Sequence, residues 1–320
     1  MGFSSVESPM FILHFLFISL SLQAAIYGPD NRLDINQILR LAPIAKSIAI
    51  AVPNNFLEKR RDNFYAMKDV SILGGSSEVY ACMDERFARQ PIIGNCTGFL
   101  VGKRHLITAG HCVLPNGIVN NDKKHPFCDA YSWYFDFNVN SQGKTSEGKI
   151  PPQNIYKCKR IIRAENLELP GSSPGTKFGN DFAVMELDRD VAPEFTQLKI
   201  ANYKPKVSQP VYTIGHPSGL PAKYSGLSNV IKNNNPRYFE ANLDTLGGNS
   251  GGPVFDVNNN VLGILVSGHP VDYYMIPSGC YRVNKCNANG SVCNEQSQFK
   301  DLQKSNYVQY IHTALPYLKK

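Results

Sequence analysis

The stretch Gly247-Gly248-Asn249-Ser250-Gly251-Gly252-Pro253-Val254-Phe255 constrains this chain more than any other. Glycine lets the backbone take positive φ and approach a ligand closely. A serine on such a turn, with neighbouring N–H groups pointing outward, suits an exposed nucleophile beside an oxyanion hole. Read alone, the run is equally a glycine-rich hairpin turn. Its G-x-S-x-G core also fits the nucleophile elbow of α/β-hydrolases, in which the acid and then the histidine follow the serine. Here the best aspartate and histidine both precede it.

At 320 residues the chain has room for one large domain or two medium ones. A core of that size needs no disulfides to be sizeable. Eight cysteines are present all the same, which points to an oxidising compartment. The net charge of +7 is mild and spread along the chain. No basic stripe with interleaved aromatics accompanies it, so nucleic acid is not an expected partner. Residues 1–25 read as a secretory signal. The apolar run Met10–Leu22 is followed by small Ala24 and Ala25, and it is short for a membrane span. The leading segment carries Glu7 and no Lys or Arg, which also fits a buried N-terminal helix. After signal removal no membrane association is expected, and the protein is expected outside the cell or in the periplasm.

Residues 26–69 read as an N-terminal segment, either a propeptide or the first strand of the mature domain. Ile35–Ala42 suits a short helix and Ser47–Val52 a buried strand. Lys59-Arg60-Arg61 is a processing site or a solvated loop. From residue 70 to 320 the chain changes character. Short β-rich runs alternate with Gly, Pro and Asn clusters: Thr97–Val101, His105–Thr108, Tyr156–Arg163, Asp181–Leu187, Val211–Ile214 and Val261–Val266. No helical pattern of 10–15 residues separates them, so the fold class is all-β. Asp256–Asn260 reads as a hairpin turn. Val308, Ile311, Leu315 and Leu318 share one helical face behind Ser305 as cap, so a C-terminal helix is expected.

Two further stretches carry chemistry. Leu106–Cys112 places His111 just after an apolar strand. Asn180–Leu187 offers Asp181 at the mouth of an alternating strand. The order is His, Asp, Ser. The segments TAGHC, NDFAVMEL and GGNSGGP resemble the three active-site motifs of the chymotrypsin-like, trypsin-fold serine proteases. ACMDERFARQP, GHPSGLP and LDTLGGNSGGP resemble a secreted bacterial branch related to the glutamyl endopeptidases. The resemblance implies two six-stranded antiparallel β-barrels with the site in the cleft between them. It also implies a disulfide between Cys96 and Cys112, which are sixteen residues apart.

The implied mechanism needs no metal or cofactor. A serine hydroxyl is a poor nucleophile and needs a base within reach. His111, with an ordinary pKa near about 6.5, takes the Ser250 proton and returns it to the leaving amine. Asp181 orients the imidazole, and the N–H groups of Gly248 and Ser250 bind the oxyanion. Asn249 stands where trypsin carries the acid that pairs with a newly freed N-terminal amine. An amide cannot make that ion pair, so no such switch is expected.

For substrate binding, Val266-Ser267-Gly268 resembles the strand edge that pairs with an extended peptide. Thr245 matches a threonine used by glutamyl endopeptidases. Their pocket histidine, fifteen residues after the nucleophile, is replaced here by Leu265. Asp244, six residues before Ser250, occupies the ungapped position of trypsin's basic-side-chain receptor. It reads equally as an acid at a strand end pointing elsewhere. His269 is a weaker candidate for the pocket rim. Among the other cysteines the expectation is Cys128–Cys158, two of Cys280, Cys286 and Cys293 joined, and the third bonded to Cys82. The sequence thus reads as a secreted, monomeric serine endopeptidase acting on peptides or proteins. The rival readings are an esterase with the same triad and an inactive binding protein on the same fold.

Overall fold

The structure is a computed structural model that describes residues 25–76, 79–168, 178–295 and 305–318. Twelve strands carry the architecture: β1 (Ile48–Pro53), β2 (Cys96–Leu100), β3 (His105–Thr108), β4 (Tyr131–Phe135), β5 (Ile155–Glu168) and β6 (Phe178–Leu187), then β7 (Pro210–Gly215), β8 (Ser228–Lys232), β9 (Tyr238–Ala241), β10 (Pro253–Asp256), β11 (Asn260–Ser267) and β12 (Asn306–Tyr310). The first six close into a ring in the order β5-β4-β1-β2-β3-β6, with β6 returning to β5. The last six close likewise in the order β7-β10-β11-β12-β9-β8, with β8 returning to β7. Every pairing in both rings is antiparallel. The protein is two closed six-stranded barrels, as expected, and closure leaves neither ring a free edge.

Alternation along the strands decides what each barrel holds. In β6, Ala183, Met185 and Leu187 enter the first barrel's core with Leu106, Trp133 and Tyr156. Phe182 and Val184 point the other way and meet Tyr212, Ile214, Phe255 and Ile264 of the second barrel. This is the period of two that a pleated strand imposes. Val211, Phe239, Val254, Leu265 and Val308 form the second barrel's own core.

One expectation needs correction. Among the described residues there is no C-terminal helix: Asn306–Tyr310 is strand β12, and two short 3-10 turns, Ile311–Thr313 and Leu315–Tyr317, follow it. Within the segment 26–69, Ile48–Pro53 is strand β1 and lies between β2 and β4 of the first barrel. Residues 35–45 form two 3-10 turns and a single α-turn. Lys59-Arg60-Arg61 is exposed at the end of a hairpin made by Leu57–Lys59 and Tyr65–Met67. The expected turn at Asp256–Asn260 is present, with Asp256 Oδ1 accepting from the N–H groups of Asn258 and Asn260. The signal expected over 1–25 lies outside the described residues except for Ala25. Among the described residues no helix is long and apolar enough to cross a membrane.

The disulfides are Cys82–Cys280, Cys96–Cys112, Cys128–Cys158 and Cys286–Cys293, so of the three C-terminal cysteines it is Cys280 that reaches Cys82. Cys82–Cys280 spans 198 residues and Cys286–Cys293 only 7. Loop-closure entropy grows with span, so replacing the first pair by serine is expected to cost about 4–5 kcal/mol, and the second about 2–3 kcal/mol. Denaturant midpoints of the two double variants check the order.

Candidate active site

The loop after β3 presents His111. Its preceding glycine is required, because a Cβ on Gly110 would lie 1.8 Å from the Glu165 carbonyl oxygen of β5. Val113 and Leu114 N–H groups both donate to Gly110 O and close the turn. Cys96–Cys112 ties this turn back to the start of β2.

Asp181 meets His111 twice. The His111 backbone N–H donates to Asp181 Oδ1 at 3.0 Å, and Nδ1 lies 2.8 Å from Oδ2. The Asp181 side chain is 2 % exposed and the His111 side chain 15 %. Burial pushes the imidazole pKa down, but the charge and hydrogen bond of Asp181 outweigh it and leave the pKa above its ordinary value. With Nδ1 occupied, Nε2 is the free ring nitrogen. It is buried and has no hydrogen-bond partner among the described residues. The backbone N–H of Asp181 donates to Gln309 Oε1 of β12, so the second barrel also holds the acid.

Ser250 comes from the second barrel, on the turn before β10, and is buried. Its carbonyl accepts from Thr97 N–H at 2.8 Å. The same oxygen lies 3.7 Å from Cys112 Sγ, a cystine sulfur with no proton to give. The turn therefore lies against the histidine loop, although the Ser250 hydroxyl makes no hydrogen bond to His111 Nε2. Gly251 has φ +86°, and a Cβ there would lie 2.2 Å from Thr97 O. That crowding explains the glycine after the serine.

Along Gly247–Gly252 the amides divide into two sets. Gly247 donates to Asp272 Oδ2, Asn249 to Leu246 O, Gly251 to Leu265 O and Gly252 to Asn249 O. The N–H groups of Gly248 and Ser250 donate to no acceptor among the described residues. Those are the two amides expected to bind an oxyanion. Asn249 is buried and donates its side-chain amide to Leu246 O, a neutral bond within the same loop.

The specificity candidates fare differently. Val266, Ser267 and Gly268 are buried at the end of β11, directly beyond the Leu265 carbonyl that holds Gly251. Thr245 is buried, and its hydroxyl accepts from Asn306 Nδ2. The Asp244 carboxylate is held by the chain's own backbone: Oδ1 accepts from Tyr27 N–H at 2.8 Å and Oδ2 from Asn31 N–H at 3.0 Å. Burial raises its pKa to about 6. Its carboxylate anchors the segment in which Ile26–Tyr27 pairs with Lys285–Cys286. His269 is buried, with Nε2 3.5 Å from Cys293 Sγ.

Sequence reasoning missed Thr97 and Gln309. Thr97 read only as a strand start, although its place beside the bridged Cys96 was a usable signal. Gln309 lay in the stretch taken for a helix.

Residues 96–264 match the family described as the trypsin-like peptidase domain. The chain belongs to that family and carries a peptidase fold. Among solved structures it is similar to a Glu endopeptidase in complex with MPD (14 % identity, TM-score 0.45, covering 92 % of this chain and 97 % of that one). Human heparin binding protein is similar at 10 % identity and TM-score 0.46, covering 87 % and 92 %. Neuropsin, a serine protease expressed in the limbic system of mouse brain, is similar at 15 % and 0.45, covering 87 % and 95 %. No curated protein matches the sequence.

Two outcomes are expected. NMR titration places the His111 imidazole above about 6.5, and Asp181→Asn brings it down. Because the folded pKa exceeds the unfolded one, stabilisation by the pair is complete below about pH 6.5 and is lost as pH rises through the folded value. Asp244→Ala removes both acceptors, so Tyr27 and Asn31 amides exchange faster and stability falls by about 2–4 kcal/mol. Hydrogen exchange and unfolding curves measure this.

Proposed function

We propose that this protein is a secreted serine endopeptidase in which Ser250 attacks, His111 moves the proton and Asp181 orients the imidazole. The observation that carries the reading is the double contact of Asp181 to His111, which directs Nε2 away from the acid. Membership of the trypsin-like peptidase family supplies the reaction class. The bonded cysteines support an oxidising, extracytoplasmic setting.

The Ser250 hydroxyl closes on Nε2, gives up its proton and bonds to the scissile carbonyl carbon. The carbonyl electron pair moves onto oxygen, where the N–H groups of Gly248 and Ser250 receive it. His111 then protonates the departing amine as the C–N bond breaks, leaving an acyl-enzyme. Water repeats the sequence, with its proton passing through His111 and back to Ser250. Asp181 holds the required tautomer and stabilises the imidazolium. Nothing in this sequence calls for a metal or cofactor. Val266, Ser267 and Gly268 offer backbone to an extended peptide, and Thr245 contributes to the substrate pocket. A bound Asp244 carboxylate gives no reason to favour Lys or Arg at the cleavage site. The substrate is a peptide or protein chain, and the working unit is the monomer.

Incubation with a fluorophosphonate, followed by peptide mass mapping, is expected to place one adduct on Ser250. Ser250→Ala and His111→Ala each lower kcat by about 10⁵–10⁶-fold. Digestion of a complex peptide mixture distinguishes a peptidase from an esterase. A folded wild-type chain that takes no adduct overturns the reading.

A further inference from the structure

We propose that Thr97 is a positioning residue that sets the oxyanion-binding amides of the Gly247–Gly252 loop; this rests on the reading of Ser250 given above. Thr97 is fully buried in the first barrel, yet two of its polar atoms make three hydrogen bonds to the second barrel. Its N–H donates to Ser250 O at 2.8 Å, and its hydroxyl donates to Gly248 O at 2.7 Å. The same hydroxyl accepts from His216 N–H at 3.0 Å. Its carbonyl accepts from the Thr108 hydroxyl at 2.7 Å, which fixes it within the first barrel.

Peptide planarity turns these bonds into an orientation. In a trans peptide the N–H points opposite to the C=O of the same plane. The plane carrying the Ser250 N–H runs from Asn249 to Ser250. Its carbonyl is taken by Gly252 N–H at 2.8 Å. The planes on either side, Gly248–Asn249 and Ser250–Gly251, both have their carbonyls held by Thr97, one by its side chain and one by its backbone. A peptide clamped on both sides cannot flip alone.

The plane carrying the Gly248 N–H is held from the turn that follows His216. Ser218 N–H donates to Gly247 O at 2.5 Å. Gly248 has φ +92°, and a Cβ there would lie 2.5 Å from His216 O. Thr97 links that turn to the loop, because one hydroxyl serves both His216 N–H and Gly248 O. A hydroxyl is needed, since only it donates and accepts at one atom. Valine has the same shape and does neither.

The test compares Thr97→Val and Thr97→Ser with the wild type. The substrate is a peptide taken from the cleavage profile, and the probe is the aldehyde of its acyl half, which forms a hemiacetal on the serine. Losing an oxyanion donor outright costs about 10²–10³-fold, so displacing one is expected to lower kcat by about 10–100-fold in Thr97→Val. KM stays within about 2-fold, because the effect falls on the transition state. Aldehyde affinity falls by the same factor as kcat/KM, and Thr97→Ser returns each value to within about 3-fold of wild type. Melting curves establish folding; if the valine variant does not fold, Thr97→Ala takes its place in the same measurements.

Wild-type kcat in a folded valine or alanine variant overturns the proposal. So does a folded serine variant as impaired as valine, or a kcat loss with unchanged aldehyde affinity. In each of those cases the Ser250 reading stands, because the wild type still cleaves. A wild type that neither takes the fluorophosphonate nor binds the aldehyde overturns both.

Discussion

The apolar contact between the two barrels comes before everything else. Phe99, Ile107, Phe182 and Val184 on one side pack with Tyr212, Ile214, Phe255 and Ile264 on the other. Burying side chains of this size is worth about 1.5–3 kcal/mol each. That contact puts His111 and Asp181, from the first barrel, beside a serine from the second. Neither barrel holds the constellation alone. The polar groups then work at short range, where single hydrogen bonds decide orientation.

Those bonds cross the seam in both directions. Gln309 of the second barrel takes the N–H of Asp181 in the first. Thr97 of the first takes the carbonyls of Gly248 and Ser250 in the second. Each half of the site is therefore braced by the other. Glycines mark the points of closest approach. Gly110 passes the Glu165 carbonyl within the first barrel and Gly251 the Thr97 carbonyl across the seam, with no room for a methyl at either.

Much of this was legible in the sequence because local chemistry and global fold agree. The alternating pattern in Asp181–Leu187 and the β-rich run Val261–Val266 gave strands, and the structure has them. The glycines around Ser250 gave a tight turn. Cys96–Cys112 and Cys128–Cys158 are bonded as expected, while the sequence left open which of Cys280, Cys286 and Cys293 reaches Cys82. The C-terminal stretch misled because β12 buries polar residues. Asn306 binds Leu243 N–H and Thr245, while Gln309 binds Asp181 and the Arg237 carbonyl. Polar side chains inside a sheet erase the alternation on which a strand is recognised, and the leftover apolar residues fell at helical spacing. Asp244 stayed open between two readings for a related reason. Counting back from the serine placed it correctly along the chain, but Tyr27 and Asn31, more than 200 residues away, decide what its carboxylate does.

Gln309 also has a consequence for biosynthesis. It sits on the final strand, so a chain emerging from N- to C-terminus can assemble the first barrel while the brace on Asp181 is still unsynthesised. The seam can be completed only after Asn306–Tyr310 has docked between β9 and β11. Until then the N–H of Asp181 lacks the acceptor that the second barrel supplies.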